Sequence, residues 1–131
     1  MYYTSYYACP LLKQGNWYRI PISNSIPKGI QTDGAQMDII PDWKTIVEPY
    51  KLGFIDEAEY RKRYLRQLDG ARNFILIALR TFRNIAAKDG KDIVFLCYEK
   101  TGDFCHRHIF AEWLTEKTGK PVSELKELTL F

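Results

Sequence analysis

Asp92-Ile93-Val94-Phe95-Leu96-Cys97-Tyr98 is the stretch on which the fold turns. It is a near-continuous apolar run, the pattern of a strand covered on both faces of its sheet. Immediately upstream, Lys88-Asp89-Gly90 stops a segment, Ala71–Ala87, in which Phe74, Ile75, Ala78, Leu79, Phe82, Ile85 and Ala86 recur at three- and four-residue spacing. That spacing predicts a helix with one buried stripe. Immediately downstream, a loop over Glu99–Phe104 leads into a helix that begins near Cys105 and continues through Trp113 to about Lys117. Gly119-Lys120-Pro121 ends it. Helices flanking a buried strand predict an α/β domain.

Further out, Tyr3-Thr4-Ser5-Tyr6-Tyr7 reads as a short strand broken by Cys9-Pro10, and Leu11–Gly15 as a single helical turn or a loop. Trp17–Ile22 is a second strand, which Pro21 makes irregular or an edge. Residues 23–43 carry Pro27, Gly29, Gly34 and Pro41 and read as a long loop, a length that is often functional. Asp42 can cap a short helix that Pro49 limits. Asp56–Leu65 has acidic residues first and basic ones after, which suits a helix dipole, and Gly70 suggests its end. A final short element spans Val122–Leu130.

The chain has 131 residues, 46% of them apolar and 15% aromatic. That excludes a disordered protein, which would lack the apolar surface to offset chain entropy. With 19 Lys+Arg against 16 Asp+Glu, the formal net charge of +3 neither demands nor excludes a nucleic-acid partner. The longest apolar run, Phe74–Leu79, falls far short of the roughly 18 residues of a membrane span. Met1-Tyr2-Tyr3-Thr4-Ser5 lacks the basic and apolar regions of a signal peptide. Three cysteines, Cys9, Cys97 and Cys105, argue against a disulfide-stapled secreted fold. The expected location is cytoplasmic.

The chemistry concentrates in Leu96-Cys97-Tyr98-Glu99-Lys100-Thr101-Gly102-Asp103-Phe104-Cys105-His106-Arg107-His108, which holds both histidines and two of the cysteines. It lies between the carboxyl end of the best strand and the start of the next helix, where open α/β sheets bind ligands. Free N–H groups there favour an anion, and Arg107 would add a planar donor fork. Three readings compete. Cys105, at a helix start beside His106 and Arg107, is placed to be a reactive thiol, with Cys97 the other candidate. Cys97, Cys105, His106 and His108 are enough ligands for zinc, but no C-x-x-C pair or familiar spacing supports a metal. Glu99, His106 and Arg107 could instead do acid–base or anion-binding work without a covalent step. The bland alternatives are a packing Cys97 and a set of structural caps and ion pairs around Cys105.

Leu96-Cys97-Tyr98-Glu99-Lys100, then Cys105-His106-Arg107-His108, then Ala111-Glu112-Trp113-Leu114 resembles the signature of the domain of unknown function 488 (DUF 488) family. Thr4–Tyr7, Tyr18–Pro27, Pro41-Asp42-Trp43, Tyr50–Gly53 and Tyr60–Tyr64 resemble its other segments. The family's Asp-Val-Arg on the second strand is here Tyr18-Arg19-Ile20, without the Asp. The resemblance implies a Rossmann-like α/β fold and a shared pocket, to which Arg19 and the following serines would contribute. It supplies no reaction.

The expectation is therefore one α/β domain over residues 1–131, Rossmann-like and three-layered, with a mostly parallel sheet. If the second strand and the Cys97 strand are parallel neighbours, Arg19, Ser23 and Ser25 face the Cys105 helix start, and Arg19 and Arg107 form an anion clamp. Cys105 would be nucleophile or redox thiol, His106 its base, Arg107 an oxyanion clamp and Glu99 an acid–base partner, with Cys97 alongside. The ligand would be a small phosphate- or carboxylate-bearing molecule, nucleotides and nucleic-acid ends included, and no cofactor or metal is implied. The alternative is a non-catalytic module with a structural Cys-His cluster. It would hold nucleic acid or a protein in the same cleft or on an aromatic face of Tyr2, Tyr3, Tyr6, Tyr7, Trp17 and Tyr18.

Overall fold

The computed structural model describes residues 1–99 and 104–125. Four parallel strands form one sheet: β1 (Tyr2–Tyr6), β2 (Trp17–Pro21), β3 (Asp92–Cys97) and β4 (Val122–Glu124), in the order β2-β3-β1-β4. Four helices accompany it: α1 (Glu48–Lys51), α2 (Glu57–Gly70), α3 (Arg72–Lys88) and α4 (His106–Thr118). The architecture is α/β, as the alternation of apolar strand and helical segments predicts.

β3 is apolar from Ile93 to Cys97 because it is interior there in every direction. It pairs with β2 on one side and β1 on the other, with Ile93 level with both Tyr18 and Tyr2 and Cys97 level with Tyr6. Its alternate residues serve two cores. Ile93, Phe95 and Cys97 join Tyr2, Tyr18, Ile20 and Ile22 under the helices, against Ile75, Leu79, Phe110 and Trp113. Val94 and Leu96 face the other way and pack with Tyr7, Cys9 and Leu12, which belong to the β1–β2 connection. The sheet thus has a thick helical layer on one face and a thin layer on the other.

The element boundaries repay comparison with the sequence. Asp56 caps α2, its side chain accepting from Glu59 N at 2.9 Å. Asp42 caps likewise, accepting from Thr45 N at 2.9 Å, but what it opens is a wide π turn over Trp43–Val47. Pro49 does not limit a helix; it sits in the first turn of α1, where its missing N–H costs nothing. Only Ile75, Leu79 and Ala86 of the expected α3 stripe are fully buried, while Phe74 is 70% and Ile85 42% exposed. α4 closes at Gly119, whose φ of 71° is left-handed and suits glycine. Of the expected element Val122–Leu130, the first three residues form β4, and 126–130 lie outside the described residues. Among the described residues no helix is long and apolar enough to cross a membrane.

The long loop is tied down by one side chain. Gln67 of α2 donates to the carbonyls of Asp38 and Ile40 at 2.9 and 2.7 Å and accepts from Asp42 N at 2.9 Å. Tyr64 adds a bond from its hydroxyl to the Ile39 carbonyl. This holds the loop against α2.

Candidate functional site

Because the strands are parallel, the carboxyl ends of β2 and β3 emerge on one edge, beside the first turn of α4. A cavity of about 150 Å³ opens there. Ser23, Asn24 and Ser25 line it from the end of β2, Tyr98 and Glu99 from the end of β3, and Cys105 and His106 from the start of α4. The loop and α1–α2 supply Trp43, Tyr50, Lys51 and Tyr60. A larger open depression of about 870 Å³ lies beyond Pro41 and Trp43 and holds neither cysteine nor histidine.

His106 is the most tightly specified group. Its side chain is buried, and Nε2 lies in hydrogen-bond contact with the Ile22 carbonyl, just past β2. A carbonyl only accepts, so Nε2 carries the proton and donates. Nδ1 is then the unprotonated nitrogen, and it lies 3.9 Å from Cys105 Sγ. Burial pushes the imidazole down to about 4; the Ile22 bond opposes that, and the neighbouring Arg107 and His108 add to it. His106 is neutral at physiological pH and can accept a proton at Nδ1.

Cys105 is the N-cap residue of α4, with extended φ and ψ of −148° and 139°. Its sulfur lies against that of Cys97. The Cα atoms are 7.6 Å apart, beyond the span of about 4.4–6.8 Å of most bridges, so the same backbone suits a reduced pair. Cys105 borders the cavity, whereas Cys97 is fully buried behind it.

Arg107 does not reach the cavity. It is fully buried, and its fork is taken by a residue that sequence reasoning passed over. Nε and Nη2 donate to the two oxygens of Glu124 on β4, at 3.0 and 2.9 Å. Nη1 donates to Cys97 Sγ at 2.9 Å and to the Glu99 carbonyl. Thr4 Oγ1 also donates to Glu124, at 2.7 Å. The guanidinium therefore staples α4 to β3 and β4, and it cannot serve as a clamp for a ligand oxyanion. Nothing nearby in sequence flags Glu124, because the pairing is made by a three-residue strand across the sheet.

Arg19 is also displaced from its expected place. β2 and β3 are parallel neighbours, as the clamp required. However, side chains alternate along a strand, and Ile20 and Ile22 take the helical face. Arg19 points to the thin layer, where Nη2 donates to the Leu12 carbonyl at 2.9 Å. Ser23 and Ser25, past the strand end, do line the cavity. Ser23 Oγ bonds the Ser25 carbonyl and the Tyr7 hydroxyl, each at 2.6 Å, and Ser25 Oγ reaches the Tyr98 hydroxyl at 3.3 Å. Glu99 is exposed at the rim, and its charge reinforces the effect of burial in pushing the Tyr60 hydroxyl up, so Tyr60 stays protonated.

Of the six aromatic residues expected to form one face, Tyr3, Tyr6 and Trp17 are half-buried. Tyr2, Tyr7 and Tyr18 are buried, and Tyr3 and Trp17 pack edge to face on each other. Among the described residues, Cys97, Cys105 and His106 are the group whose ligand atoms lie close enough, within 4.8 Å of one another, to hold a metal ion. They provide three donors, one already facing a guanidinium. His108 lies elsewhere on α4 and is half-buried.

No curated protein and no solved structure matches the chain. A family model described as the active DUF488-N3 subclade, DUF488-N3a, matches residues 4–118. That span starts in β1 and ends with the last residue of α4, so it contains Cys97, Glu99, Cys105, His106 and Arg107. The chain belongs to the DUF488 family.

Proposed function

We propose that the chain is a small thiol-dependent enzyme domain. Cys105 is its nucleophile, His106 its proton partner, and the cavity over them holds a small ligand bearing a carboxylate or phosphate. The observation that carries this reading is the line from the Ile22 carbonyl through His106 to Cys105. An orienting acceptor, an imidazole and a thiol in that order are the parts of an activated cysteine. The description of the matching subclade as active agrees with it. Cys105 at the first turn of α4 also has the helix dipole to favour its thiolate.

The ligand's charge is argued from the cavity's own groups. Lys51 lines it, and its ammonium also lies 5.7 Å over the Trp43 ring. The Ser23 and Ser25 hydroxyls and the α4 start complete a polar end. Arg19 and Arg107 play no part in holding the anion. Nucleotides and other phosphate esters belong to this class of ligand.

A second reading, a binding module whose Cys-His-Arg segment is purely structural, is favoured by one observation: the whole Arg107 fork is used inside the fold.

The discriminating experiment is alkylation of the reduced protein by iodoacetamide, followed residue by residue by mass spectrometry. The thiol-enzyme reading expects Cys105 to react first, to slow at least about tenfold in His106→Gln, and to be protected by inorganic phosphate in wild type but not in Lys51→Ala. An unreactive Cys105, or one indifferent to His106, leaves the structural reading in its place.

A further inference from the structure

We propose that Cys97 is the resolving partner of Cys105 and that the pair reduces small hydroperoxides. This rests on the reading of Cys105 as the nucleophile, not on the anionic ligand, and adds a second reacting atom and an uncharged substrate class.

Three observations converge. First, the two sulfurs lie against each other, with one on the cavity wall and the other buried behind it. An outer attacking thiol and an inner resolving one is the arrangement that a two-electron cycle needs. Second, each sulfur has its own partner. Cys105 Sγ faces His106 Nδ1 at 3.9 Å, and Cys97 Sγ receives a hydrogen bond from Arg107 Nη1 at 2.9 Å. A guanidinium is permanently charged, so it favours Cys97 as the thiolate whenever the bond is open. Third, the cavity is about 150 Å³ and Cys105 is 3% exposed. A disulfide substrate must bring two sulfurs and their flanking carbons into line with Sγ. A hydroperoxide needs to bring only two oxygens.

The steps balance. Cys105 Sγ attacks the terminal oxygen of R–O–O–H while its thiol proton passes to His106 Nδ1. The S–O bond forms, the O–O bond breaks, and the leaving alkoxide takes the proton from His106 to depart as the alcohol. Cys105 is now a sulfenic acid. Cys97, already the thiolate beside Arg107, attacks the Cys105 sulfur. The S–S bond forms, the S–O bond breaks, and the expelled hydroxide is protonated to water. Two thiols have lost two electrons, and the peroxide has gained them. An external dithiol reopens the bond by thiol–disulfide exchange.

The test uses the full chain, reduced and freed of reductant, with hydrogen peroxide as the probe and cumene hydroperoxide and oxidised glutathione as further arms. The expected result is loss of two thiols per peroxide, formation of the Cys97–Cys105 bridge, and a rate on the order of 100-fold above that of free cysteine. Cys97→Ser should stop at a Cys105 sulfenic acid that a cyclic 1,3-diketone traps. Arg107→Lys keeps the charge but loses the fork that reaches Cys97 Sγ, and provides a second variant: in it the sulfenic acid should persist longer before the bridge closes. Peroxide consumption no faster than by free cysteine, in a protein whose Cys105 still alkylates quickly, overturns this proposal and leaves the thiol-enzyme reading standing. A Cys105 inert to both reagents overturns the two together. A bridge formed readily with oxidised glutathione but not with peroxide overturns the substrate class.

Discussion

At the scale of single residues, His106 carries the most testable physics. Burial holds its imidazole down at about 4, against an ordinary value near 6.5. The unfolded chain therefore takes up a proton between these values before the folded chain does, and stability must fall as pH drops through that window. Above about pH 6.5 the contribution is fully present; at pH 5 about 2 kcal/mol of it is gone. Chemical denaturation at pH 7 and pH 5 should show that loss in wild type. It should be much smaller in His106→Gln, whose amide can still donate to the Ile22 carbonyl. An equal loss in both proteins would mean that other groups, His108 first, carry the pH dependence. The Cys-x-Glu and Cys-His-Arg residues were legible in the sequence as a cluster, but the partner of Arg107 was not. Whether Arg107 faces a ligand or a carboxylate depends on Glu124, and no local pattern links the two.

At the scale of elements, α3 shows what periodicity can and cannot tell. Apolar residues at three- and four-residue steps announced the helix correctly. They overstated its buried stripe, because the set spans more of the circumference than the sheet covers. Ile75 and Leu79 face the core, while Phe74 lies on the far side. Ile75→Ala should thus cost about 2–5 kcal/mol, and Phe74→Ser should stay within about 0.5 kcal/mol of wild type. Urea unfolding of the two variants checks this; similar costs would show that Phe74 is covered. The strands were read more surely than the helix face, since β3 is apolar on both sides and no register choice was needed. β2 was the harder case. Its alternation sends Arg19 to the thin layer, and the cue was present in Ile20 and Ile22, which cannot share a face with residue 19.

At the scale of the whole molecule, the site exists because distant pieces meet at one sheet edge. Ile22 and His106 are 84 residues apart in sequence, yet the carbonyl of one orients the ring of the other. Cys97 at a strand end and Cys105 at the cap of a helix bring their sulfurs together across the same edge. The α/β class and the placement of the chemistry at the carboxyl ends of the strands followed from sequence. The cavity's other wall, built by Trp43, Tyr50, Lys51 and Tyr60, did not, because it depends on how Gln67 and Tyr64 pin the long loop. The central claim is that this tertiary meeting leaves His106 Nδ1 free to take the Cys105 proton. Long-range ¹H–¹⁵N correlation of the histidine rings in the reduced protein at pH 7 tests it most directly. The account predicts a neutral His106 protonated at Nε2, with Nδ1 carrying no hydrogen. A ring protonated at Nδ1, whether neutral or cationic, would contradict it.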